Sequence, residues 1–396
     1  MKSERQVSEH MSTSTEIARL KKNPFTLVPE ANVDVWADYE NVRQALLDVV
    51  TSCRTDQVGL SEFVVLHGEI GTGKSHALRY FHHYITVTHV DEFRSPCVYL
   101  ESTKLAKKTD FLVIYRRVME ALRNHVSDTA ARIDAALEEK AEASGVSRPQ
   151  DILNAKEALW RNSAQTLAPQ FPSLIPLLRG TIDNPHAFSV LCGTESKGLE
   201  DFQLTGPIDS EYDATKCLSA YVNLVTNPSR EVLPERLFPA NKAFYLFIDE
   251  VELLQDFKQD LVLSINQGVR DLINGCPQAF CLVFGVSGDP RVLFAIFDKF
   301  VVRRFSRDPI EIQALDEQES VRFLKEVLKN YRSDPSDPDE YPFREAALLR
   351  IADKTQDKTA AFLFRSVRRV LERAVLTGKL QPNGWIEVAD VDAFLT

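Results

Sequence analysis

The sequence predicts a three-layer α/β fold, a parallel sheet covered by helices on both faces, with a mostly helical insertion and an all-helical C-terminal domain. Three observations predict it. Short apolar runs recur (Phe63-Val64-Val65-Leu66, Cys97-Val98-Tyr99-Leu100, Ala243 to Ile248 and Ala279 to Val286), each with the length of a strand buried on both faces. Helical periods alternate with these runs, as in βα units whose strands lie parallel. After Leu315 the strands cease and only helical periods remain.

The 396 residues carry 47 Lys+Arg against 57 Asp+Glu, a net charge of −10, with 44% hydrophobic and 26% charged residues. At roughly 100–200 residues per domain this is chain enough for two or three units. The balance excludes a wholly disordered, collagenous or coiled-coil protein. Residues 1–22, polar and Ser/Thr-rich, read as a flexible N-terminal segment with no apolar leader. No apolar run approaches the ~20 residues that span a bilayer, so the expectation is a cytoplasmic protein without a membrane partner. Six scattered cysteines, with no CxxC pair and no histidine at zinc spacing, read as small buried hydrophobes.

Pro24 holds Asn23 extended and opens the core, expected over 23–314. Val35, Tyr39, Val42, Leu46, Val49 and Val50 fall at helical steps, which predicts a helix over Val35 to Val50. The first strand leads into a glycine cluster and then a helix from about Lys74 to Ile85. The insertion, at about 103–212, separates the second and third strands. It reads as helical over Tyr115 to His125 and Ala130 to Ala143, and as turn-rich over Gly145 to Gln150 and Asn184 to Pro207. A helix over Asp213 to Val225 rejoins the core, another runs from Asp256 to Ile273, and a fifth strand is placed at Pro309 to Ile312. The domain at 315–396 reads as helices over Asp316 to Tyr331, Phe343 to Asp353 and Ala360 to Thr377, with a Pro/Asp breaker after the first.

Gly68-Glu69-Ile70-Gly71-Thr72-Gly73-Lys74-Ser75 satisfies G-x-x-x-x-G-K-[ST] in full. Its glycines let successive N–H groups turn inward around phosphate oxygens, and the helix after it presents a positive end to them. Lys74 would reach the β- and γ-phosphates, and the Ser75 hydroxyl would coordinate Mg²⁺. Candidate nucleotide contacts are these eight residues and the adjoining His76, although His76, His82 and His83 also read as packing or surface histidines. The strand Phe244-Tyr245-Leu246-Phe247-Ile248 ends in Asp249-Glu250. Asp249 would hold the Mg²⁺ shell and Glu250 would polarise an attacking water. The chain is therefore predicted to bind and hydrolyse ATP with Mg²⁺.

The phosphate loop, the Asp-Glu strand end, a polar residue ending the next strand, a later arginine and a helical lid together resemble the AAA+ ATPases, over about 23–105 and 210–396. The resemblance implies that Ser287, in Phe284-Gly285-Val286-Ser287-Gly288, is a first sensor of the γ-phosphate or the water; the alternative is a turn-forming serine. It implies that Arg303 or Arg304, ahead of Phe305, is an arginine finger reaching a neighbouring subunit's nucleotide in a homo-oligomer. It makes Arg365, in Phe364-Arg365-Ser366-Val367-Arg368, the second sensor, a role that suits a planar, permanently charged fork. The alternative is a solvated basic pair after a helix for Arg303 and Arg304, and a solvated helix face for Arg365. Glu101 or Ser102 would be a polar switch at the end of the second strand.

Asn23-Pro24-Phe25 is similar to the opening of origin-recognition and transposon target-selector ATPases. That similarity implies a DNA-associated role in replication initiation, transposition targeting or defence against mobile DNA. Lys104, Lys107, Lys108, Arg116, Arg117 and Arg123 form a basic stretch that is either a solvated face or a DNA-backbone contact. The second reading is a nucleotide-dependent switch that docks a partner protein through the insertion without touching DNA. A metabolic kinase is disfavoured, because Glu250 and the lid arginines suit water activation and communication between subunits.

Overall fold

Successive side chains of a strand leave a sheet on opposite faces, so strands apolar at every position need cover on both sides. A computed structural model of the chain describes residues 16–26, 32–101, 110–145 and 148–395. Its strands are β1 (Glu62–Gly68), β2 (Cys97–Glu101), β3 (Phe244–Asp249), β4 (Phe280–Ser287) and β5 (Ile310–Glu311). All pair in parallel, in the order β2-β3-β4-β1-β5. Val64, Leu66, Tyr245, Phe247, Cys281 and Val283 pack on one face with α1 (Glu40–Ser52) and α2 (Lys74–His83). Phe63, Val65, Phe244, Leu246, Phe280 and Leu282 build the core on the other. The α/β sandwich predicted from the apolar runs is the fold observed.

The predicted helix from Val35 starts later, at Glu40. Asp38 and Tyr39 take φ of 50° and 52°, which stops the helix from extending backwards. The expected flexible segment falls outside the described residues over 1–15. Over 16–22 it is packed instead: Ala18 and Leu20 are buried against the C-terminal helices, and Lys21 N–H donates to Tyr331 O at 2.7 Å. The short run Ile17-Ala18-Arg19-Leu20 between polar neighbours gave no signal of this docking.

The insertion contributes α3 (Phe111–Ala121), α4 (Arg123–Glu142), α5 (Pro149–Leu167), α6 (Leu174–Asp183) and α7 (Pro185–Leu191). The last sits inside the stretch read as turns, started by an Asn184 side chain that accepts from His186 N–H at 3.0 Å and by Pro185 in the first turn. Next come α8 (Glu211–Thr226) and α9 (Gln259–Gly275). The insertion shares one continuous apolar core with α8, α9 and the sheet. It is docked at its start as well, where Phe111 N–H donates to Ser264 Oγ on α9 at 3.1 Å.

The C-terminal helices are α10 (Glu317–Tyr331), α11 (Glu345–Lys354), α12 (Ala360–Leu376) and α13 (Val388–Phe394), the last not anticipated. Asp316 and Glu319 close a capping box on α10. These helices have their own core, joined by Phe25, which meets Phe364 edge-to-face at 5.6 Å. Among the described residues no helix is long and apolar enough to cross a membrane.

A half-buried histidine ties the insertion to α8. The Nδ1 of His125 lies 2.6 Å from the Tyr221 hydroxyl, and Asn241 Nδ2 lies 3.2 Å from its Nε2. Burial pushes its pKa down to about 4, against about 6.5 for an exposed histidine. Between those values the unfolded chain holds the extra proton, so stability falls as pH falls. Urea unfolding should show the wild type losing about 2 kcal/mol more than His125→Gln between pH 7 and pH 5. Parallel pH profiles for the two proteins would contradict this.

Candidate functional site

The strand order places β4 between β1 and β3. Gly68 pairs with Ser287, and Gly288 N–H donates to Gly68 O at 2.8 Å, so the serine stands beside the start of the glycine loop. Asp249 closes β3 one strand further on. The loop turns through positive φ at Gly71 (89°) and Gly73 (111°) and delivers the chain into α2 at Lys74. Thr72, 1% exposed, braces it by donating its hydroxyl to Glu69 O at 2.9 Å.

Lys74 is 6% exposed, and its Nζ donates to Gly68 O and Glu69 O, each at 2.8 Å. Burial lowers its pKa, opposed by the charges of Glu252, Asp249, Glu69 and Glu250. Asp249 is 1% exposed; its Oδ1 accepts from Glu250 N–H at 2.9 Å and its Oδ2 from the Tyr99 hydroxyl at 2.8 Å. Burial first, and then the Asp249 charge, push the Tyr99 phenol up and keep it a donor. Arg79 lies 4.5 Å over the Tyr99 ring and pairs with Glu101. Glu101 is thus held in this network, while Ser102, the other candidate switch, lies outside the described residues. Tyr99 was not anticipated. The available signal was its place two residues before Glu101, on the same face of β2 and beside the strand that ends in Asp249.

Glu250 has φ 57°, an uncommon conformation for this residue type, and turns the chain into a 3₁₀ stretch at Val251–Asp256. Its Oε2 is buried with no hydrogen-bond partner among the described residues, and so is Oε2 of Glu252. The sequence reading did not include Glu252.

A cavity of about 280 Å³ opens above the loop. Ile70, Gly71, Thr72, Gly73, Lys74, Ser75, His76, Glu250 and Ser287 line its polar end, and Tyr39, Phe323, Tyr331 and Phe364 its apolar end. Phe323 and Phe364 stack at 5.5 Å. His76 lies with its Nε2 2.9 Å from Val35 O, burial lowering its pKa, so it serves the cavity wall as a neutral donor. The helical domain closes directly on the loop, with Ala361 N–H donating to Gly71 O at 3.0 Å.

The three candidate arginines are not brought into this cavity. Arg303 and Arg304 are exposed on the loop after the short helical turn Lys299–Val302, where Arg304 and Arg270 flank the Phe300 ring at 5.0 and 4.8 Å. Arg365 is exposed on α12 and stacks over Phe362 at 5.1 Å.

The residues present fit a magnesium nucleotide. Asn32 Oδ1 and Tyr331 Oη are buried without hydrogen-bond partners among the described residues and belong to residues lining the apolar end, which suits a planar ring with polar edges. Lys74 and the start of α2 suit phosphates. Among the described residues no three His, Cys, Asp or Glu side chains form a metal cage. One hydroxyl and one carboxylate, Ser75 and Asp249, are the kinds of donor that would suit a magnesium ion completing its shell with waters and phosphate oxygens.

The Asp249 carboxylate occupies space that β4 leaves open. A Cβ at Gly285 would lie 2.4 Å from Asp249 Oδ1 and 2.9 Å from Leu78 Cδ1. Gly285→Ala should cost about 1–3 kcal/mol in stability and raise the Mg²⁺ concentration needed for nucleotide binding, measured by titrating Mg²⁺ against a fluorescent ATP analogue. An unchanged Mg²⁺ requirement would contradict this placement of Asp249.

No protein-family model matches the sequence, and no curated protein matches it. Among solved structures it is similar to Cdc6p from Pyrobaculum aerophilum, at 13% identity over 91% of this chain and 67% of that one, with a TM-score of 0.48. The Aeropyrum pernix ORC1 protein, solved in complex with DNA, gives 12% identity over 92% and 66%, with a TM-score of 0.47. Domain III of the Thermotoga maritima replication initiation protein DnaA gives 13% over 92% and 95%, with a TM-score of 0.41. The chain spans about two thirds of the length of the first two. The likeness to these proteins is one of fold, and it assigns no residue a role.

Proposed function

We propose that the chain is an ATPase of AAA+ type that binds ATP with Mg²⁺ between the glycine loop and the helical lid. One observation carries the reading: a buried Lys74 ammonium in the wall of the cavity, with a Glu250 carboxylate oxygen that has no hydrogen-bond partner among the described residues at the same polar end. Lys74 Nζ exchanges Gly68 O and Glu69 O for phosphate oxygens, and the loop N–H groups converge on the same charge. Ser75 Oγ and Asp249 would hold Mg²⁺, which would supply positive charge to offset that of the phosphates. Glu250 Oε2 accepts a hydrogen bond from water, orients it and draws off its proton. Ser287, beside Gly68, donates to the γ-phosphate or that water. Positioning and charge stabilisation of this kind account for most of phosphoryl-transfer catalysis.

The lid's contact at Gly71 supports core–lid movement as the output. The exposure of Arg303 and Arg304 supports a homo-oligomer in which one of them acts on a neighbouring site. A DNA-associated role is the pathway proposed from the motif resemblance, with the DNA-bound neighbour as a parallel. The boundaries at about 23–314, 103–212 and 315–396 serve as the working division of the chain.

One observation favours the alternative of a switch that docks a partner protein through the insertion. Arg116 donates to Gly193 O at 2.9 Å and Arg123 stacks on Phe188 at 3.9 Å, so both are engaged within the insertion. Lys104, Lys107 and Lys108 lie outside the described residues.

Steady-state ATP hydrolysis with and without double- and single-stranded DNA, at two salt concentrations, tests the reading. Activity should be present and DNA-stimulated, with stimulation fading as salt rises. Glu250→Gln should keep ATP binding and lose turnover by a factor of roughly 100 or more. Activity indifferent to DNA, with the Glu250→Gln protein capturing a partner, would favour the switch. No hydrolysis by the wild type under any condition would remove the ATPase reading.

A further inference from the structure

We propose that the Asn32 amide and the Tyr331 hydroxyl read the base of the nucleotide and select one with an amino group beside a ring nitrogen, as in adenine; this rests on the nucleotide reading above. Both residues line the apolar end of the cavity. The Asn32 amide is oriented by the backbone behind it, its Nδ2 donating to Pro24 O at 2.9 Å. Its Oδ1 can only accept a hydrogen bond, and that oxygen is buried with no partner among the described residues. Tyr331 is 4% exposed, and its hydroxyl is likewise buried with no partner among the described residues. Burial first, and then the Asp34 charge, push its phenol up, so it stays protonated and able to donate. Two buried polar atoms without partners are unfavourable until a ligand in the cavity supplies their complements.

The surrounding side chains restrict what that ligand can be. Tyr39, Phe323 and Phe364 line the same end, with Phe323 and Phe364 stacked at 5.5 Å and Tyr39 edge-on to Phe323 at 6.3 Å. Val35 and Val327 extend this apolar wall. A flat heteroaromatic ring gains contact there, but each polar group on its rim must find a partner or lose one. One fixed acceptor and one donor satisfy an amino group and the ring nitrogen next to it, the pair that adenine presents. Guanine carries a carbonyl where adenine has its amino group, and that carbonyl would meet Asn32 Oδ1 oxygen to oxygen. It also brings a ring N–H and a second amino group that an apolar wall leaves unpaired.

The two residues reach the base from separate parts of the chain. Asn32 belongs to the segment before α1, whereas Tyr331 ends α10 and is held from behind by Lys21 N–H, which donates to its carbonyl at 2.7 Å. The base is therefore gripped jointly by the N-terminal segment and the lid.

Equilibrium binding to the full chain, read by displacement of a ribose-labelled fluorescent ATP, tests this with ATP, GTP and purine riboside triphosphate, which lacks only the amino group of ATP. The wild type should bind ATP about tenfold more tightly than purine riboside triphosphate, as expected when a buried acceptor loses its donor. Asn32→Ala should weaken ATP by about tenfold and leave purine riboside triphosphate within about twofold, so that the two ligands become equal. Tyr331→Phe should weaken both by a similar factor of about three to ten, because both keep the ring nitrogens. The proposal is overturned by a wild type that binds purine riboside triphosphate or GTP as tightly as ATP. Equal losses of ATP and purine riboside triphosphate in Asn32→Ala, or no loss of either in Tyr331→Phe, overturn it as well. A wild type that binds none of the three removes the underlying nucleotide reading, an outcome distinct from a wild type that binds all three alike.

Discussion

Burial of the Lys74 ammonium is the constraint from which the site follows. An ammonium taken out of water is strongly disfavoured unless donor and charge needs are both met. Gly68 O and Glu69 O accept its protons at 2.8 Å, which requires a loop that folds back over the side chain. Glu252, Asp249, Glu69 and Glu250 supply the opposing charge, which requires β3 to end beside that loop. Only a sheet with β4 between β1 and β3, and with a glycine at 285, leaves the Asp249 carboxylate room to stand there. Local motif and long-range topology therefore depend on each other.

The same arrangement explains why the site has a lid. Lys74 is bonded to the loop's own carbonyls, and oxygens of Glu250, Asn32 and Tyr331 that lack hydrogen-bond partners among the described residues are spread around the cavity rather than on one element. They come from the end of β3, the segment before α1, and α10. In the proposed reading a ligand meeting all of them fixes the angle between sheet and helical domain, and loss of its terminal phosphate releases that angle. Tyr99, donating to Asp249 and covered by Arg79, ties that carboxylate to the strand from which the insertion departs.

Much of this was legible in the sequence where chemistry is local. The glycine loop, the β3 run with Asp249 and Glu250, and the helices α8 to α12 follow from spacing and periodicity within single segments. What was not legible depended on contacts between distant segments. Tyr39 looked like a helical position and instead closes the cavity, because burial beside Phe323 prevailed over period. Residues 16–22 looked like a tail and are anchored on α10. Arg365 carried the expected residue type at the expected spacing, yet the helix turns it to the surface. Asn32 was invisible for the opposite reason, since nothing in a lone asparagine announces a buried oxygen on a cavity wall. The α7 helix was different, because Asn184-Pro185 is a start signal that was there to be read.

The central claim is that Mg-ATP is clamped between the glycine loop and the lid. Hydrogen exchange of the full chain, with and without Mg-ATP, measures both jaws at once. The account predicts slowed exchange at the amides of residues 68–76 and at 360–364, with little change in the insertion's interior. Slowing at the loop alone, or at neither, would contradict it.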